Sequence, residues 1–234
     1  MFLLRFLRAR KFNVSETLKM FKSYLEFHKN VDIDKSIINK DFSEKAKLLL
    51  KYYPRCYHKT DKQGRPIYIE LISKVKFDEV FNYISEEDVL NVNIKEYENY
   101  INHKLTMCSK SAGIPIEQSL TLLCVKDVQV SYALKVKKFL GKLTHTSQNY
   151  YPELLGHLFI LNSNSVFKTI WYIIKGFIDE RTKKKITIEG SDYLPKLLEL
   201  IDIDNLPSFF GGNCNCLKYG GCIQSNIGPW NPEE

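Results

Sequence analysis

Segments typical of strands and of helices alternate between about residue 65 and residue 200, and this alternation constrains the fold most. Runs of β-branched, aromatic and aliphatic residues predict four strands, at IYI (67–69), SLTLLCV (119–125), HLFIL (157–161) and KITIE (185–189). Segments with apolar residues at helical spacing separate the runs. This order predicts an α/β domain in which helices flank a mixed, mostly parallel sheet.

The first fifty residues lack such runs and predict a helical region (1–50) in front of the α/β domain (51–234). A first helix carries Arg5, Arg8 and Arg10 opposite an apolar face. Asn13, three residues before Glu16, predicts the cap of a second helix. Its apolar face is expected at Val14, Leu18, Phe21, Leu25 and His28. The chain begins within a helical pattern, so we expect a shortened N-terminal element.

The 234 residues carry 34 lysines and arginines against 27 acidic residues, a net charge of +7. This excess favours an anionic partner such as a membrane surface, a nucleic acid or an acidic protein. No secretory signal and no apolar run of membrane-spanning length is visible. We therefore expect a soluble, cytosolic protein.

Three of the six cysteines, Cys214, Cys216 and Cys222, cluster in NCNCLKYGGC. Their C-x-C-x₅-C spacing differs from paired zinc motifs, and no histidine follows His157. The spacing therefore favours free thiols in a reducing compartment over a metal site.

The sequence contains no dinucleotide fingerprint, no P-loop, no nucleophile elbow and no H-E-x-x-H motif. The five histidines share no motif spacing. A hydrolase would need a Ser/His pair assembled only in space. We expect a protein without catalytic residues and without a cofactor, and we keep the hydrolase as a third hypothesis.

Five segments together resemble the Sec14-like lipid-transfer proteins, whose domain is called CRAL-TRIO. They are LLRFLRARKF (3–12), YYPRCYHKTDKQGRPIYIE (52–70), SQNYYPE (147–153), NLPSFFGG (205–212) and SNIGPW (225–230). The resemblance implies a bowl-shaped α/β domain that encloses one phospholipid beneath a helical gate. It also implies exchange of phosphatidylinositol for phosphatidylcholine between membranes.

The family's binding positions carry over to this sequence one residue at a time. The implied phosphatidylinositol contacts are Arg10, Lys11, Glu153, Thr182 and Lys185. The implied phosphatidylcholine contacts are Tyr57, Tyr68, Ser119, Thr121, Ser147 and Tyr151. The implied gate runs from about residue 164 to 179 and includes Phe167, Ile170, Trp171, Ile174 and Phe177. Gly211 and Gly212 are implied to be structurally sensitive.

These residue types suit the two headgroups. Lysine and arginine complement a phosphate, and Glu153 can accept from inositol hydroxyls or pair with Lys185. Choline has no N–H donor, so tyrosine faces attract it through cation–π contact while hydroxyls bind its phosphate. Taken singly, each tyrosine fits an ordinary core position, and the KKK run (183–185) fits a solvated basic patch.

The sequence also departs from the family pattern. The gate begins with NSNS, where the family has a proline-containing turn, and Gly176 replaces a common proline. Cys124 stands at a strand position that is usually aspartate. These differences affect the hinge of the gate and one polar contact near the cavity.

The resemblance further implies a monomer that contacts anionic membranes, does not bind nucleic acid, and supports phosphoinositide signalling with phosphatidylinositol kinases as partners. Golgi and endosomal membranes are the expected location. The main alternative is a lipid-sensing scaffold that binds one hydrophobic ligand and reports to a protein partner.

Overall fold

A five-stranded sheet forms the centre of the fold in the computed structural model, which describes residues 2–232. The spatial order follows the chain: β1 (Arg55–Thr60), β2 (Pro66–Leu71), β3 (Ser119–Cys124), β4 (Leu155–Leu161) and β5 (Ile186–Ile188). The first two strands pair antiparallel, and the remaining pairs are parallel. The predicted mixed, mostly parallel sheet is confirmed.

Eleven α-helices are described around this sheet. They are α1 (Phe2–Ala9), α2 (Val14–Val31), α3 (Ser43–Tyr52), α4 (Phe77–Tyr83), α5 (Glu86–Asn99), α6 (Leu105–Ala112), α7 (Val130–Tyr150), α8 (Ser165–Ile174), α9 (Glu180–Lys183), α10 (Leu194–Leu200) and α11 (Cys222–Ser225). A π-helical segment, Tyr100–Lys104, joins α5 to α6. Among residues 2–232, no helix is both long enough and apolar enough to cross a bilayer.

The two faces of the sheet differ in burial. Along β2 and β3, fully buried residues alternate with partly exposed ones. The buried set packs beneath α10 against Leu197 and Ile201, and comprises Ile67, Ile69, Leu71, Leu120 and Leu122. The other face carries Tyr68, Glu70, Thr121 and Leu123, which keep accessible surface. Parallel sheets are usually covered on both faces, so this partly open face is unusual.

The N-terminal helices pack into the same core as the sheet. Ile33, Ile37 and Leu49 are buried in one apolar cluster with Tyr57 of β1. This packing brings the helical region against the partly open face of the sheet. The boundary predicted at residue 50 stays a prediction.

The apolar face predicted for α2 is wrong at its three aliphatic residues, whereas the predicted Phe21 packs edge-on against Phe6 with ring centroids 5.3 Å apart. Val14, Leu18 and Leu25 are exposed, and Val14 keeps 71 % of its surface. The buried face instead presents Met20 and Tyr24, which pack on Phe6. Packing against the aromatic residues of α1 therefore determines which face of α2 is buried, and the spacing of its aliphatic residues does not.

Local capping signals were reliable. The Asn13 side chain accepts from Glu16 N at 3.1 Å, and Ser85 Oγ accepts from Asp88 N at 3.0 Å. Both helices therefore begin where a side chain replaces a missing backbone acceptor. Strand β1 was not predicted, because RCYHKT contains three basic side chains and no aliphatic residue.

A tight turn at Gly211–Gly212 joins α10 to the C-terminal segment. Gly211 has φ +92, and a Cβ on Gly212 would lie 2.0 Å from the Leu206 carbonyl oxygen. Only glycine allows the two backbones to approach so closely. The structural role expected of this pair therefore has a steric cause at Gly212.

We predict that Gly212→Ala lowers the free energy of unfolding by at least about 2 kcal/mol, because the backbone around Leu206 must shift. Gly176→Ala is the matched control, since its added Cβ would meet nothing within 4 Å. The control should change stability by less than about 1 kcal/mol. Urea denaturation measures both variants, and equal stability would contradict the steric assignment.

Candidate functional site

A cluster of aromatic rings lies on the partly open face of the sheet. Tyr57 of β1 and Tyr68 of β2 are directly paired, with ring centroids 4.7 Å apart. Tyr100 of the π-helical segment stacks on Tyr57 at 5.3 Å, and Trp230 meets the same ring edge-on at 6.1 Å. The Lys104 ammonium lies 5.0 Å from the Tyr57 centroid. This distance is within the range of a cation–π interaction, so the cluster already binds one cation, the Lys104 ammonium, against a tyrosine ring.

Hydroxyl groups adjoin this cluster on β3. Thr121 is the register neighbour of Tyr68, and its Oγ1 lies 3.4 Å from Ser119 Oγ. The Tyr100 hydroxyl is buried close to Ser119, and within residues 2–232 it has no partner at full hydrogen-bond geometry. The fold thus brings four of the predicted choline-lipid residues together, with an unsatisfied donor between them.

The other two predicted choline-lipid residues form a second group at the end of α7. Tyr151 stacks on Tyr97 at 4.7 Å and donates to Glu98 Oε1 at 2.8 Å. Ser147 Oγ donates to Thr144 O at 3.0 Å and lies near the Tyr97 hydroxyl. Tyr97 and Tyr100 belong to one continuous helical stretch, so this stretch connects the two groups.

Burial keeps these tyrosines protonated. It raises the pKa of Tyr97 to about 12 and the pKa values of Tyr57 and Tyr68 well above the ordinary value. Nearby carboxylates add to the effect, chiefly Glu70 for Tyr68 and Tyr97. At physiological pH the hydroxyls therefore remain donors, and that of Tyr68 donates to Glu70 Oε1 at 2.8 Å.

Glu153 is the centre of the predicted inositide site. Lys185 Nζ lies 3.1 Å from its Oε2 and also donates to Leu155 O at 2.8 Å. Arg181, which the sequence did not suggest, contacts Oε1 of the same carboxylate at 3.0 Å. The Glu153–Lys185 pair predicted from the sequence is present, and both side chains are largely buried.

The other residues predicted to contact phosphatidylinositol, Thr182, Arg10 and Lys11, do not join the Glu153–Lys185 pair directly. Helix α9 ends at Lys183, so Thr182 and Lys185 do not share a helical face. Thr182 Oγ1 instead donates to Asp179 Oδ2 at 2.6 Å. Arg10 and Lys11 lie on the turn after α1, and within residues 2–232 no hydrogen bond or ion pair joins them to Glu153 or Lys185. A bond from Arg181 to the Arg8 carbonyl brings this turn towards α9.

The environment predicted for Arg5 from the helical pattern differs from the one in the structure. The helical pattern put it on the outer face of α1, whereas its side chain is buried and the residue keeps 4 % of its surface. Neither terminal nitrogen has a hydrogen-bond partner within residues 2–232, and the guanidinium lies 5.0 Å from the Phe2 ring. Burial lowers the pKa of Arg5, while Tyr100, Tyr151 and Glu98 lie close enough to oppose this. A buried guanidinium without partners is costly unless an anion completes it.

The predicted gate corresponds to α8 and the turn that follows it. The helix ends at Ile174, and Lys175–Phe177 form a 3₁₀ turn, so the gate is shorter than one continuous helix. Phe167 and Ile170 are buried against β3 and β4, with Trp171 and Ile174 partly buried beside them. Phe177 O accepts from Gln148 of α7 at 2.8 Å. The buried face of α8 therefore covers the apolar side chains Leu123, Leu158 and Ile160 of β3 and β4.

Comparison with known proteins agrees with this architecture. The family model for the CRAL/TRIO domain matches residues 50–212, and that for the CRAL/TRIO N-terminal domain matches residues 1–23. The Sec14 cytosolic factor of Schizosaccharomyces pombe is 40 % identical over 232 residues, which are 99 % of this chain and 80 % of the relative.

A plant relative and a solved structure extend the comparison. The Arabidopsis thaliana phosphatidylinositol/phosphatidylcholine transfer protein SFH12 is 38 % identical over 233 residues, 99 % of this chain and 43 % of its own length. The crystal structure of Sfh5 superimposes with a TM-score of 0.70 at 18 % identity, covering all of this chain and 76 % of that one, which supports the shared fold. The chain is therefore a member of the CRAL/TRIO domain family.

Proposed function

We propose that this protein binds one phospholipid at a time and exchanges phosphatidylinositol for phosphatidylcholine between membranes. The observation that carries the proposal is the unequal burial of the two faces along β2 and β3. There one face is fully buried, whereas the other presents half-buried side chains such as Leu123 beneath helices. The relatives named for transfer of the same two lipids support it.

Lipid transfer requires an apolar space because each exposed acyl CH₂ costs about 0.8 kcal/mol in water. Leu123, Leu158 and Ile186 of the partly open face can supply it, next to Phe167 and Ile170 of the gate. Displacement of α8 from this apolar cluster would uncover the chains. The gate is attached mainly by such contacts, which a bilayer can replace at little cost.

Headgroup selection follows from the two polar groups. The tyrosine cluster with Ser119 and Thr121 offers rings for choline and hydroxyls for its phosphate. The Glu153–Lys185 pair offers an acceptor for inositol hydroxyls and a cation for phosphate. Tyr151 and Glu153 are two residues apart, so the two headgroups would compete for adjoining parts of one cavity.

Contact with an anionic membrane surface would use the net charge of +7 and the outer face of α8. There Tyr172 keeps 73 % of its surface, and Lys175 lies 4.5 Å from its ring. An aromatic ring beside a lysine suits the interface of an acidic bilayer. In this proposal the monomer works at Golgi and endosomal membranes and supplies phosphatidylinositol to kinases in phosphoinositide signalling.

Binding without catalysis is part of the proposal. The fold brings His58 and Ser225 together, with Nδ1 3.1 Å from Oγ, but both residues are buried. The Ser225 hydroxyl donates to Cys222 O at 2.9 Å, so its proton is not directed at the histidine. This arrangement does not activate a nucleophile.

One test of the proposed function measures selectivity between phosphatidylinositol and phosphatidylcholine. Lys185→Ala should lower phosphatidylinositol transfer between liposomes about tenfold, because a charged hydrogen bond to phosphate is lost. Phosphatidylcholine transfer should stay within about twofold. Lys184→Ala is the matched control, since this neighbouring lysine is exposed. Thr121→Val should lower phosphatidylcholine transfer and leave phosphatidylinositol transfer nearly unchanged.

Equal loss of both lipids in Lys185→Ala would contradict the two-headgroup assignment. Absence of transfer of either lipid by the unmodified protein would contradict the proposed function itself. A copurifying lipid that does not exchange would favour the lipid-sensing scaffold instead.

The second prediction concerns Arg5, whose unpartnered guanidinium suits the phosphate that both lipids share. Arg5→Met should reduce loading of both lipids about tenfold or more, since charge-assisted hydrogen bonds are lost. The lipid-free variant should be as stable as the unmodified protein or more stable, because an uncompensated buried charge is removed. Lys22→Met, at an exposed position, is the control. Loss of stability with unchanged loading would show that Arg5 is only structural.

A further inference from the structure

Four potential metal ligands meet on the side of β1 that faces away from the tyrosine cluster. They are His58 of β1 with Cys214, Cys216 and Cys222 of the C-terminal segment. One ligand atom of each residue lies within 4.8 Å of the ligand atoms of the other three. Cys214 Sγ and Cys216 Sγ are 3.5 Å apart. All three cysteines are free thiols, and His58, Cys214 and Cys222 are buried.

The hydrogen bonds of His58 leave one nitrogen available. Ser225 Oγ donates to Cys222 O and lies 3.1 Å from His58 Nδ1, from which it can accept. The tautomer protonated on Nδ1 is compatible with both bonds and leaves the lone pair on Nε2. His58 has no exposed surface, and its Nε2 has no hydrogen-bond partner among the described residues. A histidine oriented through one nitrogen, with the other free, is the usual arrangement of a metal ligand.

The backbone between the cysteines folds back on itself. Cys216 adopts a left-handed conformation with φ 47, and a 3₁₀ turn, Leu217–Tyr219, follows it. The Cys216 carbonyl accepts from the backbone N–H of both Tyr219 and Gly221. This turn returns the chain so that Cys222 lies beside Cys214, whose carbonyl its thiol contacts at 3.3 Å.

We propose that His58, Cys214, Cys216 and Cys222 bind one divalent transition-metal ion, zinc in the first place. Three sulfurs and one imidazole are a donor set of structural zinc sites. Tetrahedral Zn–S bonds of about 2.3 Å place two sulfurs ~3.8 Å apart, close to the separation of Cys214 and Cys216. The ligands need only small movements to surround an ion.

The metal would join the C-terminal segment to β1. Within residues 2–232, a backbone–backbone hydrogen bond from Lys59 N to Ile227 O at 2.6 Å joins β1 to residues 213–230, and the Cys56 thiol contacts the Cys222 carbonyl at 3.6 Å. Tyr57, which precedes His58, packs against Trp230 of that segment. The ion would therefore hold in place a residue of the tyrosine cluster. The site lies outside that cluster, and its cysteines follow the last residue matched by the CRAL/TRIO model.

The decisive measurement is the metal content of the full chain, purified without an affinity tag and without chelators. Elemental mass spectrometry should find about one zinc per chain. Cobalt exchange should give the thiolate charge-transfer band and the visible bands of a tetrahedral site. These readouts need no lipid, so their outcome is independent of the transfer assays.

Variants assign the ligands. Cys222→Ser and His58→Gln should each lower zinc content at least tenfold. Cys56→Ser is the control and should keep its zinc, because this thiol contacts the Cys222 carbonyl at 3.6 Å without belonging to the cluster. If a variant fails to fold, the cobalt spectrum of the unmodified chain still shows whether a tetrahedral thiolate site is present.

Two results would overturn the proposal. One is unmodified protein that contains no zinc and shows no thiolate charge-transfer band with cobalt. The other is a thiol titration of the denatured, unreduced chain that finds four free thiols instead of six, since a disulfide within the cluster would then replace the metal.

Discussion

The unequal burial of the two sheet faces is the constraint on which the rest of the structure depends. On one face, isoleucines and leucines of β2 and β3 pack against α10 without exposed surface. On the opposite face, Tyr68, Glu70, Thr121 and Leu123 of the same strands keep accessible surface. A sheet stabilised from one side can present tyrosines, hydroxyls and half-buried leucines on the other.

Buried charge gives the open face its chemistry. Lys185 and Arg181 share the Glu153 carboxylate, so loss of Glu153 would leave two neighbouring cations without their common anion. Arg5 has no hydrogen-bond partner for its terminal nitrogens within the described part of the chain. Such groups are costly in a closed core, and a ligand with a phosphate and hydroxyl groups would reduce that cost.

Strand β1 connects the proposed headgroup site to the proposed metal site. Neighbouring residues of a strand point to opposite faces, so Tyr57 and His58 serve different surroundings although they are adjacent. The register of β1 against β2 shifts between Tyr57 and Thr60, which is where the chain leaves regular pairing to meet the C-terminal segment. A metal at His58 would therefore act on Tyr57 through one peptide unit.

The sequence alone determined the order of β2 to β5, the cap at Asn13 and the Glu153–Lys185 pair, because these follow from local patterns or from motifs. Only the tertiary structure decided which face of α2 is buried, that Arg5 is enclosed, and that RCYHKT forms a strand. The spacing of the cysteines argued against a metal site because it could not include His58, 156 residues before Cys214. Burial and ligand geometry depend on residues distant in the chain, and the spacing of neighbours carries no information about them.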